Sequence, residues 1–173
     1  GMQKYWVFFN YASLPLSFIP VIGANLNYSI VEYDYKFCKF RSTEKHLKET
    51  GKECDCHNQE IGKLISAFMH GADKLFWMSE AQQNFYIQRF PFLENKSNFI
   101  LSSAFSEESI DYLSKNRRKI KERNGKALIV GSGSWIKGVE ESIKYCKDKS
   151  INYDIISNVS HKEILDAMCV YDH

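Results

Sequence analysis

Apolar runs of strand length alternate with helical segments from one end of this chain to the other, and few architectures accommodate that order. Residues 5–9, 28–31, 75–78, 99–101, 127–130 and 153–156 read as strands, each short, apolar and bounded by polar or turn residues. The strongest helix is predicted where Ile61, Leu64, Ile65, Phe68 and Met69 fall on one apolar stripe, with Gly71 as its C′ residue. Ser79 with Gln82, and Ser160 with Glu163, have the spacing of capping boxes that open two further helices. Ser106 caps another, carrying Ile110 and Leu113. A fifth has Val139, Ile143 and Cys146 on one face, with Glu140 and Glu141 in its first turn and Lys147 and Lys149 in its last, the order that suits a helix dipole. Pro15 and Pro20 leave room only for a turn or a distorted helix after the first strand.

Strands separated by helices must pair in parallel, and right-handed crossovers then wind the sheet. The expected fold class is therefore α/β, Rossmann-like, with a mostly parallel sheet and helices on both faces. Ligands of such sheets bind beyond the carboxyl ends of the strands. That rule selects segments 10–13, 32–36, 79–82, 102–106, 131–138 and 157–161. The polar turn Arg123-Asn124-Gly125 is the one credible boundary, dividing the chain into 1–123 and 124–173.

Composition narrows the classes. Hydrophobic residues make up 44% and charged residues 25%, which places the chain with globular proteins and against disorder. A formal net charge of +2 gives no electrostatic case for nucleic acid. The basic run 115–121 reads as a solvated helix face. No apolar run reaches the ~20 residues that span a bilayer. Five cysteines without a secretory pattern point to a reducing, cytoplasmic setting.

Three groups of residues carry candidate chemistry. First, Gly131, Ser132, Gly133, Ser134, Lys137 and Gly138 form a glycine- and serine-rich turn between a strand and a helix. Exposed backbone amides, two hydroxyls and an ammonium there make a competent diphosphate cradle; the alternative is a tight connection whose glycines satisfy backbone angles. The turn is neither a Walker loop nor a dinucleotide fingerprint. Second, Glu32 and Asp34 stand two apart at a strand end and share a face. They either orient a substrate hydroxyl or form salt bridges with Lys36 or Arg41. Third, Cys38, His46, Cys54, Cys56 and His57 lie in a stretch, 36–57, that lacks a clean period and reads as a long loop. The C-x-C spacing departs from common structural zinc sites, so free, partly buried thiols are preferred over a structural zinc.

The run LIVGSGSWIKGVEESIKYC resembles the start of the donor-binding domain in retaining, family-4-like GT-B glycosyltransferases. There a lysine lies six residues after the first glycine of the turn, as Lys137 does after Gly131, and Ser132 stands where the family has arginine. YSIVEYDYKF, KLFWMSEAQ, FILSSAF and NVSHKEILDAM resemble further units of the same enzymes. The resemblance implies parts of two GT-B half-domains, with 1–123 on the acceptor side and 124–173 opening the nucleotide-sugar half. Glu32 and Asp34 would then face the acceptor. The turn at 131–138 would hold the donor diphosphate, with no further cofactor required. It also implies a truncated chain, because a downstream segment with two glutamates is missing, and a homodimer that covers the exposed apolar surface. A non-catalytic nucleotide- or phosphate-binding module is the alternative.

Overall fold

The computed structural model describes residues 5–102, 106–118, 122–131 and 135–172. The fold is α/β and Rossmann-like, with two parallel sheets. It divides into two compact units, residues 1–104 and 105–173. Among the described residues, no helix is long and apolar enough to cross a membrane.

The first unit holds four strands in the order β1-β2-β3-β4: β1 Trp6–Phe9, β2 Tyr28–Glu32, β3 Lys74–Trp77 and β4 Ser97–Ile100. All three pairings are parallel, with Phe8 opposite Ile30 and Ile30 opposite Leu75. The helices are α1 Phe18–Asn25, α2 Thr43–Thr50, α3 Glu60–Gly71 and α4 Glu80–Arg89. Every residue of β2 is buried, as the sequence run Tyr-Ser-Ile-Val leads one to expect of an inner parallel strand.

One sheet face carries the main core. Tyr28, Ile30 and Leu75 join Ile19 and Ile22 of α1, Ile65, Phe68 and Met69 of α3, and Tyr86 of α4. Phe68 is its centre: its ring stacks on Tyr28 at 4.9 Å and meets Phe8 and Tyr11 edge-on at 5.2 Å. Truncating such a ring to Ala typically costs about 3–5 kcal/mol. Trp77 is fully buried beside it, its indole N–H donating to Asn98 Oδ1 at 2.8 Å and its ring 5.0 Å from Tyr86. On the opposite face lie Phe9, Val31, Phe76 and Phe99. Phe76 and Phe99 stack at 5.3 Å, while Phe9 and Phe99 remain largely exposed.

Two helix details differ from the sequence expectation. Gly71 is the last residue of α3, with Ala72 as its C-cap. It is glycine because an added Cβ would meet the Tyr28 hydroxyl at 2.5 Å, and that hydroxyl donates to the Phe68 carbonyl. At α4, Ser79 caps the Gln82 N–H, but the Gln82 carboxamide turns to accept from the Met78 N–H rather than from Ser79.

The second unit pairs β5 Ala127–Val130 with β6 Tyr153–Ile156 and carries α5 Glu107–Asn116, α6 Val139–Asp148 and α7 His161–Met168. Ala127, Ile129 and Cys146 form a small core with Val139 and Ile143 of α6 packed on it. Helix α5 belongs here because it packs on α7: Ser109 Oγ lies 3.1 Å from His161 Nε2, and the Tyr112 hydroxyl donates to Asp166. Ser160 and Glu163 complete the capping box of α7 in both directions.

Candidate functional site

Beyond the carboxyl ends of β1 and β2, the first unit opens a cleft of about 510 Å³. Its walls differ in character. Leu14, Leu16, Ile19, Ile61 and Ile65 make one side apolar, while Lys36, Lys39 and Arg41 bring positive charge from the segment that follows β2. Two non-glycine residues near the rim have left-handed backbones, Asn10 (φ 36°) and Arg41 (φ 56°). Asparagine tolerates that region; arginine does so at a cost of about 1–2 kcal/mol.

Glu32 and Asp34 are brought together here, and Lys36 is the link. Its ammonium lies 3.1 Å from Glu32 Oε1 and 3.0 Å from Asp34 Oδ1. Asp34 also faces Arg41, at 3.6 Å. Thus both salt-bridge partners that the spacing suggested are present. The two carboxylates nonetheless occupy different settings. Glu32 is 1% exposed. It accepts from the Tyr11 hydroxyl, from Lys36 and from the Asp34 backbone N–H. Tyr11 and Lys36 line the cleft, so Glu32 reaches it through them. Asp34 is the more accessible of the pair. Its main-chain carbonyl accepts from Gln82 Nε2 and the Tyr86 hydroxyl, both at 3.2 Å, which anchors the turn to α4.

Burial governs the titration of this group. It pushes the Glu32 carboxyl up to about 7, against the opposing pull of Lys36 and Tyr11. Burial, then the neighbouring Glu32 carboxylate, holds the Tyr11 phenol well above its ordinary value. Tyr11 therefore stays a hydrogen-bond donor, and Glu32 is poised to gain or lose a proton near neutrality.

Sequence reasoning did not single out Tyr11, Lys39 or the apolar wall from α1 and α3. Tyr11 sits in segment 10–13 after β1, so the strand-end rule contained it. The wall depends on how two helices meet the cleft, which no local pattern encodes.

In the second unit, the turn after β5 is described only in part; Ser132, Gly133 and Ser134 lie outside the described residues. The Gly131 N–H donates to the Ile156 carbonyl at 3.1 Å, continuing the β5–β6 ladder. A Cβ on it would meet Val139 Cγ2 at 2.2 Å, so close packing against α6 is enough to require glycine. Residues Trp135–Lys137 form a 3-10 turn with Lys137 exposed, and Gly138 (φ 69°) is the N-cap of α6. Among the described residues no side chain caps that helix start, and Glu140 and Glu141 lie in its first turn.

The long segment after β2 holds a third constellation. Cys38, His46, Cys54 and Cys56 have their sulfur and nitrogen atoms within 4.8 Å of one another. His46 Nδ1 is 3.6 Å from Cys38 Sγ and 3.4 Å from Cys56 Sγ. His57 is not among them; its Nδ1 is buried without a hydrogen-bond partner among the described residues. Burial foremost pushes the Cys54 thiol up to about 12. No known protein family, curated protein or solved structure matches this chain.

Proposed function

We propose that this chain belongs to a glycosyl-transfer system, with the first unit on the acceptor side and the second opening the nucleotide-sugar site. The observation that supports this most is the Tyr11–Glu32–Lys36–Asp34 network. It lies at the carboxyl end of an inner parallel strand, beside a cleft with one apolar and one cationic wall. In this reading Asp34 orients an acceptor hydroxyl, and Lys36 fixes Asp34 while neutralising charge. Glu32 holds Lys36 and Tyr11 in place. The acceptor carries an apolar portion for Leu14, Ile19 and Ile65, and an anionic or strongly polar group for Lys39 and Arg41. In the second unit, Lys137 receives the departing diphosphate, where its positive charge lowers the barrier electrostatically.

The test is titration calorimetry with UDP and with GDP, repeated on Lys137→Ala. Loss of the ammonium is expected to weaken the nucleotide about tenfold, equivalent to about 1.4 kcal/mol. Unchanged affinity removes Lys137 from the site. Failure of the unaltered protein to bind either nucleotide overturns the reading.

The mutual neutralisation of Lys36 by two carboxylates favours a second reading, a nucleotide- or phosphate-binding module without turnover. Nucleotide binding with no sugar release from any nucleotide-sugar donor selects it. Self-association through apolar surface such as Phe9 and Phe99 is a separate proposal, tested by sedimentation at high protein concentration.

A further inference from the structure

The segment between β2 and α3 is anchored at its start by Phe37, fully buried against Tyr86 and Phe90, but α2 beyond it has little apolar support. The segment runs from Tyr33 to Gln59 and contains one eight-residue helix, α2, whose sole buried residue is His46. An amphipathic helix would ordinarily bury leucine there; Leu47 points outward instead, 47% exposed. What converges beneath α2 is sulfur. Cys38 and Cys56 are buried and Cys54 is partly so, and none is in a disulfide.

Hydrogen bonding explains the arrangement only in part, although the Cys38 thiol can donate to the Ser42 carbonyl at 3.5 Å. Two thiols approach the same ring nitrogen, yet neutral imidazole offers a single acceptor lone pair. A cation bound by all four groups does explain it. For zinc, bond lengths of about 2.3 Å to sulfur and 2.0 Å to nitrogen at the tetrahedral angle place sulfur and nitrogen about 3.5 Å apart, and two sulfurs about 3.8 Å apart. The 3.4 and 3.6 Å sulfur–nitrogen separations match the first figure, and the 4.8 Å limit on the whole set accommodates the second.

We propose that Cys38, His46, Cys54 and Cys56 form a structural zinc site. The donor set is three soft thiolates and one imidazole, which selects a thiophilic ion and suits Zn²⁺. All four positions are supplied by protein, so the site is closed, as structural rather than catalytic zinc requires. The sequence has made room for it. A Cβ on Gly62 would meet the Cys56 carbonyl oxygen at 2.3 Å and His57 Cα at 2.5 Å; glycine there lets the Cys-Asp-Cys-His turn lie directly on the start of α3. Cys38 also lines the cleft, between Lys36 and Lys39. The ion therefore fixes the cationic wall while contacting no substrate. This assignment does not depend on the glycosyl-transfer reading.

The experiment is elemental analysis of the full chain purified under reducing conditions without chelator. About one zinc per chain is expected. Cys38→Ser and Cys56→Ser are expected to lose it, while Cys146→Ser, in the second unit, retains it. Because loss of a ligand can also unfold the first two variants, the unaltered protein is stripped and titrated with Co²⁺. Tetrahedral d–d absorption with thiolate-to-cobalt charge-transfer bands supports the site. A folded protein that carries no zinc, an octahedral cobalt spectrum, equal zinc loss in Cys146→Ser, or a disulfide among Cys38, Cys54 and Cys56 in the reduced preparation overturns it.

Discussion

The Lys36 ammonium lies 3.1 Å from the Glu32 carboxylate, with the two side chains 2% and 1% exposed. An ion pair so removed from water sits on a fine balance, because desolvation opposes the attraction that holds it. The Glu32 carboxyl, raised by burial from 4.5 to about 7, records which side of the balance it falls on.

That shift has a sign in stability. Between about pH 4.5 and 7 the folded chain keeps a proton on Glu32 that the unfolded chain has released. This group's contribution is thus fully present below pH 4.5 and lost as pH rises through 7. The slope is at most about 1.4 kcal/mol per pH unit, or roughly 3 kcal/mol across the window. Glu32→Gln, which mimics the protonated form, is expected to flatten the pH dependence. Urea unfolding at pH 5 and pH 7 measures it; an equal slope in the variant defeats the assignment. Lys36→Met is expected to cost about 3 kcal/mol at pH 8, where Glu32 is left charged and unpaired, and less at pH 5.

Arg41 offers a test of strain. Its left-handed backbone disfavours any residue with a Cβ. Arg41→Ala keeps the strain and loses the exposed contact to Asp34, whereas Arg41→Gly loses the contact and relieves the strain. The glycine variant is expected to be the more stable of the two by about 1 kcal/mol. Equal unfolding midpoints would show that the loop relaxes without help.

At Gly131 the question is why glycine is there. Overlap of a new methyl group with Val139 Cγ2, at 2.2 Å, is expected to make Gly131→Ala lose about 1–3 kcal/mol. Combined with Val139→Ala the loss should be smaller than the sum of the two single losses by about 1 kcal/mol, since the second change clears the space. Additive losses in thermal denaturation rule packing out. Nucleotide titration of the double variant then asks whether the glycine also serves an anion.

Much of this architecture was readable from local pattern. The apolar stripe from Ile61 to Met69 became α3, and the Ser160–Glu163 spacing became a complete capping box, because both signals act within one helix. The α/β class followed from the order of elements. Helix α2 escaped notice although Ser42 and Gly51 cap its two ends, for it lacks the apolar stripe by which helices are recognised. The same absence concealed the sulfur cluster: Cys38 and Cys56 are 18 positions apart in sequence, and only the folding of the segment around His46 brings them to one place. Glu32 and Asp34 were visible as a pair at a strand end. Their division into a buried member and an accessible one depends on Tyr11, which arrives from the turn that follows a different strand.

Trp77 gives the first unit an optical reporter of its own. The chain has three tryptophans, Trp6, Trp77 and Trp135, and among them only Trp77 is wholly shielded from solvent. Its emission is expected at the blue edge of the fluorescence spectrum, shifting to the red when the sheet beneath α4 opens. Loss of order around β3 can therefore be followed by light at low protein concentration, separately from events at Trp135 in the second unit.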